Sequence, residues 1–140
     1  MTLVERKSLY TIIEAVARRT AVAVREAIVT NLASHKEKVH TLTYDNGKEM
    51  AEHEHITDTL GIKVYFAHPY SSWERGVNEN TNGLIRQYFP KSRELTSVTR
   101  EEVEKAMERL NHRPRKTLGF RTPYEVFFST HTPLTVALGT

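Results

Sequence analysis

The chain has 140 residues, 39% hydrophobic and 26% charged, with a formal net charge of +3 and a pI near 9.2. That balance reads as a soluble, globular single domain, able to bury roughly two-thirds of its unfolded surface. No apolar run approaches the ~20 residues needed to cross a bilayer. Residues 1–7 lack the apolar segment of a signal peptide, and the absence of cysteine rules out disulfides and thiolate metal sites.

In chain order, residues 2–5 and 9–16 are rich in Leu, Val, Ile, Thr and Tyr and read as two strands joined at residues 6–8, a hairpin. Thr20 is placed to cap a helix over about 21–34, with Val24, Ala27, Ile28 and Leu32 along one face. Residues 39–44 alternate as a strand that stops at Asp45-Asn46-Gly47, a turn signal. A polar helix is expected from Lys48 to Leu60, closed by Gly61. Ile62, Val64 and Phe66 alternate as a further strand, and residues 68–73 read as a loop.

A helix from about Arg75 to Phe89 should stop at Pro90. Thr99 with Glu102 forms a capping box for the next helix, whose stripe is Val103, Ala106, Met107 and Leu110. The proline-bearing tail from 113 reads as irregular, with a short helix near residues 124–128. Strands alternating with helices in this order give an α/β class with a mixed sheet.

Two acids stand in unusual settings. Asp45 ends a strand, and the carboxyl ends of strands are where sites gather in open α/β sheets. Asp-Asn-Gly also makes ordinary turns, so the turn reading stands beside the site reading. Glu79 lies in the run Asn78-Glu-Asn-Thr-Asn82-Gly83, a poor helix-forming sequence. At about 100° per residue, Val77, Thr81, Leu84, Ile85 and Tyr88 share one helix side. Arg75, Glu79, Asn82 and Arg86 share the other. An ordinary solvated face with charges at i and i+7 is the plain alternative; against it, such a face gains nothing from low propensity, and its retention here points to a functional demand.

Carboxylates on separate elements can hold hard divalent cations such as magnesium. Two ions ~3.5–4 Å apart can serve an in-line displacement at phosphorus. Arg75, Arg86, Lys91 and Arg93 bracket Glu79, and Arg109, Arg113, Arg115, Lys116 and Arg121 crowd a second stretch, as a phosphate-holding surface requires.

Three segments carry a resemblance. They are Thr41-Leu-Thr-Tyr-Asp-Asn-Gly-Lys-Glu49, residues 66–91 (Phe-Ala-His-Pro-Tyr-Ser-Ser-Trp-Glu-Arg-Gly-Val-Asn-Glu-Asn-Thr-Asn-Gly-Leu-Ile-Arg-Gln-Tyr-Phe-Pro-Lys) and Asn111-His-Arg-Pro-Arg-Lys-Thr-Leu-Gly-Phe-Arg-Thr-Pro123. Together the chain resembles, over about residues 2–128, the catalytic core of insertion-sequence-thirty family transposases. These belong to the wider group of transposases and integrases with an Asp-Asp-Glu site. The resemblance implies a ribonuclease H-like mixed sheet with flanking helices, and an irregular tail over 129–140. It makes Asp45 the second acid and Glu79 the third, holding two Mg2+ (or Mn2+) ions. Arg75, Asn82, Arg86, Lys91, Arg113, Arg115 and Lys116 are then the expected DNA contacts.

The implied chemistry is phosphodiester hydrolysis at an element end, then attack of the freed 3′-hydroxyl on target DNA. The implied partners are element-end and target DNA, and a second copy or a full-length transposase. The implied location is the bacterial cytoplasm, at the nucleoid, with no membrane partner.

One departure shapes the expectation. The family's first acid lies on a first, central strand upstream of the segment resembling residues 3–8, and no aspartate precedes Asp45 here. Glu5 and Glu14 match positions on the second and third strands and read as exposed strand residues. The expectation is therefore an N-terminally truncated core with its central strand missing, open sheet edges, weak magnesium binding and no activity alone. The rival expectation is a non-catalytic fragment that binds DNA or pairs with a full-length transposase. A start codon further upstream or a decayed reading frame are the remaining readings.

Weaker signals are His53 and His55, whose spacing points them apart on a helix. Tyr70 and Trp73 suit either base stacking or packing.

Overall fold

A computed structural model of the chain describes residues 1–18, 20–44, 51–68 and 76–129. Strand β1 (Thr2–Val4) pairs antiparallel with β2 (Thr11–Ile13), with Leu3 opposite Ile12. Both strands are shorter than the sequence suggested, because side chains between them compete for the backbone. The Glu5 carboxylate accepts the N–H groups of Lys7 (2.9 Å) and Ser8 (2.7 Å), and Ser8 Oγ accepts that of Tyr10. Leu9 takes a left-handed φ of 62°. These bonds bring the ladder to an end in a wide loop whose Arg6 and Lys7 are exposed and whose Ser8 is buried.

Helix α1 (Ala21–Ala33) begins at Thr20, whose side chain accepts from Ala23 N–H, and buries Val24, Ile28 and Leu32. Strand β3 (Thr41–Tyr44) runs parallel to β4 (Lys63–Phe66), with helix α2 (His53–Leu60) as the crossover. Gly61 ends α2 in the left-handed conformation, at φ 66°. Val24, Ile28 and Leu32 meet Ile12, Tyr44, Ile56, Leu60 and Ile62 in the main core. This core spans both strand pairs and both helices. Arg25 ties α1 to Glu52, just before α2, at 2.8 Å.

Helix α3 (Gly76–Ile85) continues as hydrogen-bonded turns to Phe89, as expected ahead of Pro90. Helix α4 (Arg100–Asn111) carries the full Thr99–Glu102 capping box. Phe89, Val103 and Ala106 form a second cluster with Ile13, Ile85, Tyr88 and Val98. Helix α5 (Pro123–Phe127) is capped by Thr122. Its end packs against the hairpin, with Phe127 stacked on Tyr10 at 4.4 Å.

The strands form two separate two-stranded sheets, β1-β2 and β3-β4; among the described residues no strand joins them. Hydrogen-bond direction shows which edges are open. Met1 and Glu14 exchange backbone bonds, and Glu5 N–H donates to Tyr10 O. Alternation therefore turns the backbone groups of Thr2 and Val4 away from β2. Lys63 N–H donates to His40 O, and Ala67 N–H to Tyr44 O, so Thr41 and Thr43 turn theirs away from β4. The outer side of β2 is closed by α4: Asn111 Oδ1 accepts Thr11 N–H and its Nδ2 donates to Thr11 O, both at 2.8 Å.

Glu5 and Glu14 are not the exposed strand acids that the sequence suggested. Both are half-buried, and Glu14 accepts from Asn31 Nδ2 at 3.2 Å. Burial raises the Glu5 carboxyl, but the bonds from Ser8 and Lys7 outweigh it and hold it below its usual value.

Candidate active site

Asp45 follows Tyr44, the last residue of β3, and lies outside the described residues, as do Arg75, Tyr70 and Trp73. Tyr44 is buried against the Phe66 ring, with centroids 5.8 Å apart. Burial pushes its phenol up to about 12, and its hydroxyl finds no hydrogen-bond partner among the described residues. The end of β3 is thus held by ring packing together with the backbone bond from Ala67 N–H to Tyr44 O.

Glu79 sits in the first turn of α3. Thr81 is buried, Val77, Leu84, Ile85 and Tyr88 are half-buried, and Glu79, Asn82 and Arg86 are exposed. The stripe expected from the sequence is therefore the stripe that packs. Helix α3 lies against β1, and Ile85 enters the second cluster. The Glu79 carboxylate is thus held on a rigid element and offered to solvent, close to the positive end of the helix dipole. Among the described residues no His, Asp and Glu group could hold a metal ion unaided; that includes His53 and His55.

The basic residues divide into two kinds. Arg86 is exposed, with Nη1 3.4 Å from Phe89 O. Lys91, Arg113 and Lys116 are exposed. Arg93 makes a two-oxygen pair with Glu102, 2.9 Å to each, and also bonds Ser97. Arg115 is half-buried, and its guanidinium donates to Leu110 O at 3.2 Å, closing the end of α4. Asn111, read from sequence as part of a DNA-facing segment, is instead 3% exposed and committed to Thr11. One residue was passed over: Phe120, 67% exposed inside the basic stretch. Its signal was an aromatic beside glycine in a run free of acids.

The mixed α/β fold is ribonuclease H-like and is shared with integrase catalytic core domains. It superposes on the catalytic core domain of BIV integrase with a TM-score of 0.68 at 24% identity, over 91% of this chain and 84% of that one. A chain of the simian T-cell lymphotropic virus intasome, solved with PP2A regulatory subunit B56 gamma, gives a TM-score of 0.72 at 22% identity, over 96% of this chain and 48% of that one.

The sequence relatives are insertion-sequence transposases. The transposase of element IS4351 from Bacteroides fragilis is 46% identical over 91% of this chain and 39% of its own length. Transposase InsI of element IS30A from Escherichia coli is 48% identical over 89% of this chain and 33% of its own length. The transposase of IS1086 from Cupriavidus metallidurans is 50% identical over 61% of this chain and 25% of its own length. This chain is similar to a segment of these transposases, and it spans between a quarter and two-fifths of their lengths. No family model matches it. No helix among the described residues is long and apolar enough to cross a membrane.

Proposed function

We propose that this chain supplies Asp45 and Glu79 to a divalent-cation site for phosphodiester cleavage and strand transfer in DNA transposition. The observation that carries the reading is Glu79 itself: an exposed carboxylate on the polar side of α3, in a chain 46–48% identical to transposases over about nine-tenths of its length. Oxygen donors from two carboxylates suit magnesium or manganese. Such a cation, when bound, polarises the phosphoryl oxygen and lowers the pKa of the attacking water. Asn82 and Arg86 lie with Glu79 on the exposed side of α3 and, together with Arg75, orient the phosphate backbone. Lys91, Arg113 and Lys116 extend the contact, and Arg115 supports the segment that carries the last two. Residues 1–128 act as the core, with 129–140 an appended tail.

Two acids leave a cation pair under-neutralised. Glu5 and Glu14 do not fill the deficit, since Glu5 is bound to the hairpin backbone and Glu14 to Asn31. We therefore expect these 140 residues alone to bind magnesium weakly and to cut little.

The test joins the segment that precedes the matched region of the IS30A transposase to residue 1. Manganese-dependent nicking of labelled duplex should appear, and Glu79→Gln should abolish it. Nicking that survives Glu79→Gln, or a folded chimaera that never nicks, overturns the reading. The second reading, a non-catalytic fragment that binds DNA or pairs with a transposase, draws on the open edges at Thr2, Val4, Thr41 and Thr43. It predicts DNA binding indifferent to both metal and Glu79→Gln.

A further inference from the structure

The segment after α4 is built as a rigid presenter. Arg115 N–H donates to Arg121 O, Phe120 N–H to Arg115 O, Leu118 N–H to Arg115 O and Gly119 N–H to Lys116 O. The Arg115 side chain pins the loop to the end of α4 through Leu110 O. At the tip, Gly119 and Phe120 are both left-handed, with φ of 64° each. For glycine that costs nothing, but for a bulky aromatic it is strained and persists only where the surroundings over-determine it. The strain does not serve packing, because the Phe120 ring is 67% exposed.

The surroundings of the ring are cationic. Residues 109–124 include Arg109, Arg113, Arg115, Lys116 and Arg121 and contain no aspartate or glutamate. Arg113, Lys116 and Arg121 are exposed. An exposed apolar ring within one sign of charge suits a polyanion that carries flat apolar faces. A protein surface would more often present mixed charge to such a patch. Rings held rigidly beside phosphate-binding cations are the pattern of single-strand recognition, in which an unpaired base stacks on the aromatic face.

We propose that Phe120 is a stacking platform for an unpaired DNA base, with Arg113, Lys116 and Arg121 on the flanking phosphates. This deepens the DNA-binding part of the function proposed above and rests on it. The ring touches substrate and reads its unpaired state, and the cations supply affinity without regard to pairing.

The informative variant is Phe120→Gly, which accepts the left-handed backbone and removes the ring. Affinities are measured for two labelled duplexes, one fully paired and one carrying a single bulged 2-aminopurine. The unaltered chain should prefer the bulged duplex and quench 2-aminopurine emission. Phe120→Gly should lose roughly tenfold on the bulged duplex alone, keep its salt slope, and melt no lower than the unaltered chain. Phe120→Trp should retain the preference. Arg113→Ala/Lys116→Ala should weaken both duplexes and shallow the salt slope by about two.

Equal affinities for both duplexes that Phe120→Gly leaves unchanged would overturn the platform while sparing DNA binding. Loss of self-association in Phe120→Gly, with base-dependent binding intact, would assign the ring to a protein contact instead. Failure of the unaltered chain to bind either duplex would overturn both readings together.

Discussion

Asn111 and Thr11 lie 100 positions apart in the chain and exchange two hydrogen bonds of 2.8 Å, side-chain amide to backbone, in a buried setting. The Asn111 amide takes the place of a neighbouring strand on the outer side of β2, presenting one acceptor and one donor in the order that a ladder residue would. Asn111→Ala leaves both Thr11 groups buried and unpaired. It should destabilise the fold by about 2–4 kcal/mol, a large share of the ~5–15 kcal/mol of a typical domain. Urea denaturation checks this, and a loss below about 1 kcal/mol would mean that water reaches Thr11.

Tyr44 has the opposite character. Its ring packs in the main core, but its hydroxyl is buried without a partner among the described residues. Tyr44→Phe should gain about 1 kcal/mol and raise the melting temperature by roughly 3–5 °C. A lower melting point would show that the hydroxyl has a partner.

The junction between α5 and the hairpin should respond to acid. His35 meets Tyr10, Phe127 and Phe128 ring to ring, at 6.1, 5.2 and 5.9 Å. Lys38 Nζ lies 4.8 and 4.9 Å from the two phenylalanine centroids and donates to Phe127 O. Burial, helped by the charge of Lys38, holds His35 below its usual 6.5. The folded chain therefore binds fewer protons here than the unfolded chain. This contribution is complete above about pH 6.5 and is lost as pH falls through the lower, folded value. Melting between pH 7.5 and 5.5 should fall more steeply in the unaltered chain than in His35→Phe. Parallel curves would contradict it.

The two open strand edges should exchange hydrogen quickly. Thr2, Val4, Thr41 and Thr43 turn their amides away from β2 and β4, whereas Leu3 and Leu42 turn theirs toward the paired strand. Amide exchange followed by NMR should show alternating fast and slow positions along both strands. Uniform protection would mean that the edges are covered, by a second copy or by another part of the chain.

What could be read in advance was local. Thr20 and the Thr99–Glu102 box set helix starts because a side chain two or three residues away satisfies the orphan amides. Gly61 set a helix end through its left-handed backbone. The stripe opposite Glu79 was legible because helical period sorts residues by side, whatever they pack against. What could not be read was either competition or distance. The ladder stops after the Glu5 N–H bond to Tyr10 O, because Ser8 Oγ takes the Tyr10 N–H and the Glu5 carboxylate takes those of Lys7 and Ser8. Asn111 looked like a surface residue of a basic run, and only the approach of β2 to α4 reveals its role. The reading of Asp45 and Glu79 as metal-holding acids comes from the motif, and Asp45 falls outside the described residues.

Asp45 and Glu79 are proposed to belong to one divalent-cation site. Paramagnetic broadening by Mn2+ in the isotopically labelled chain tests it most directly, and it detects weak binding. The account predicts that one titration broadens the amides around residues 44–46 and 78–80 together, and that Asp45→Asn or Glu79→Gln removes the effect at both places. Broadening confined to one of the two segments, or centred on His53 and His55, would contradict it.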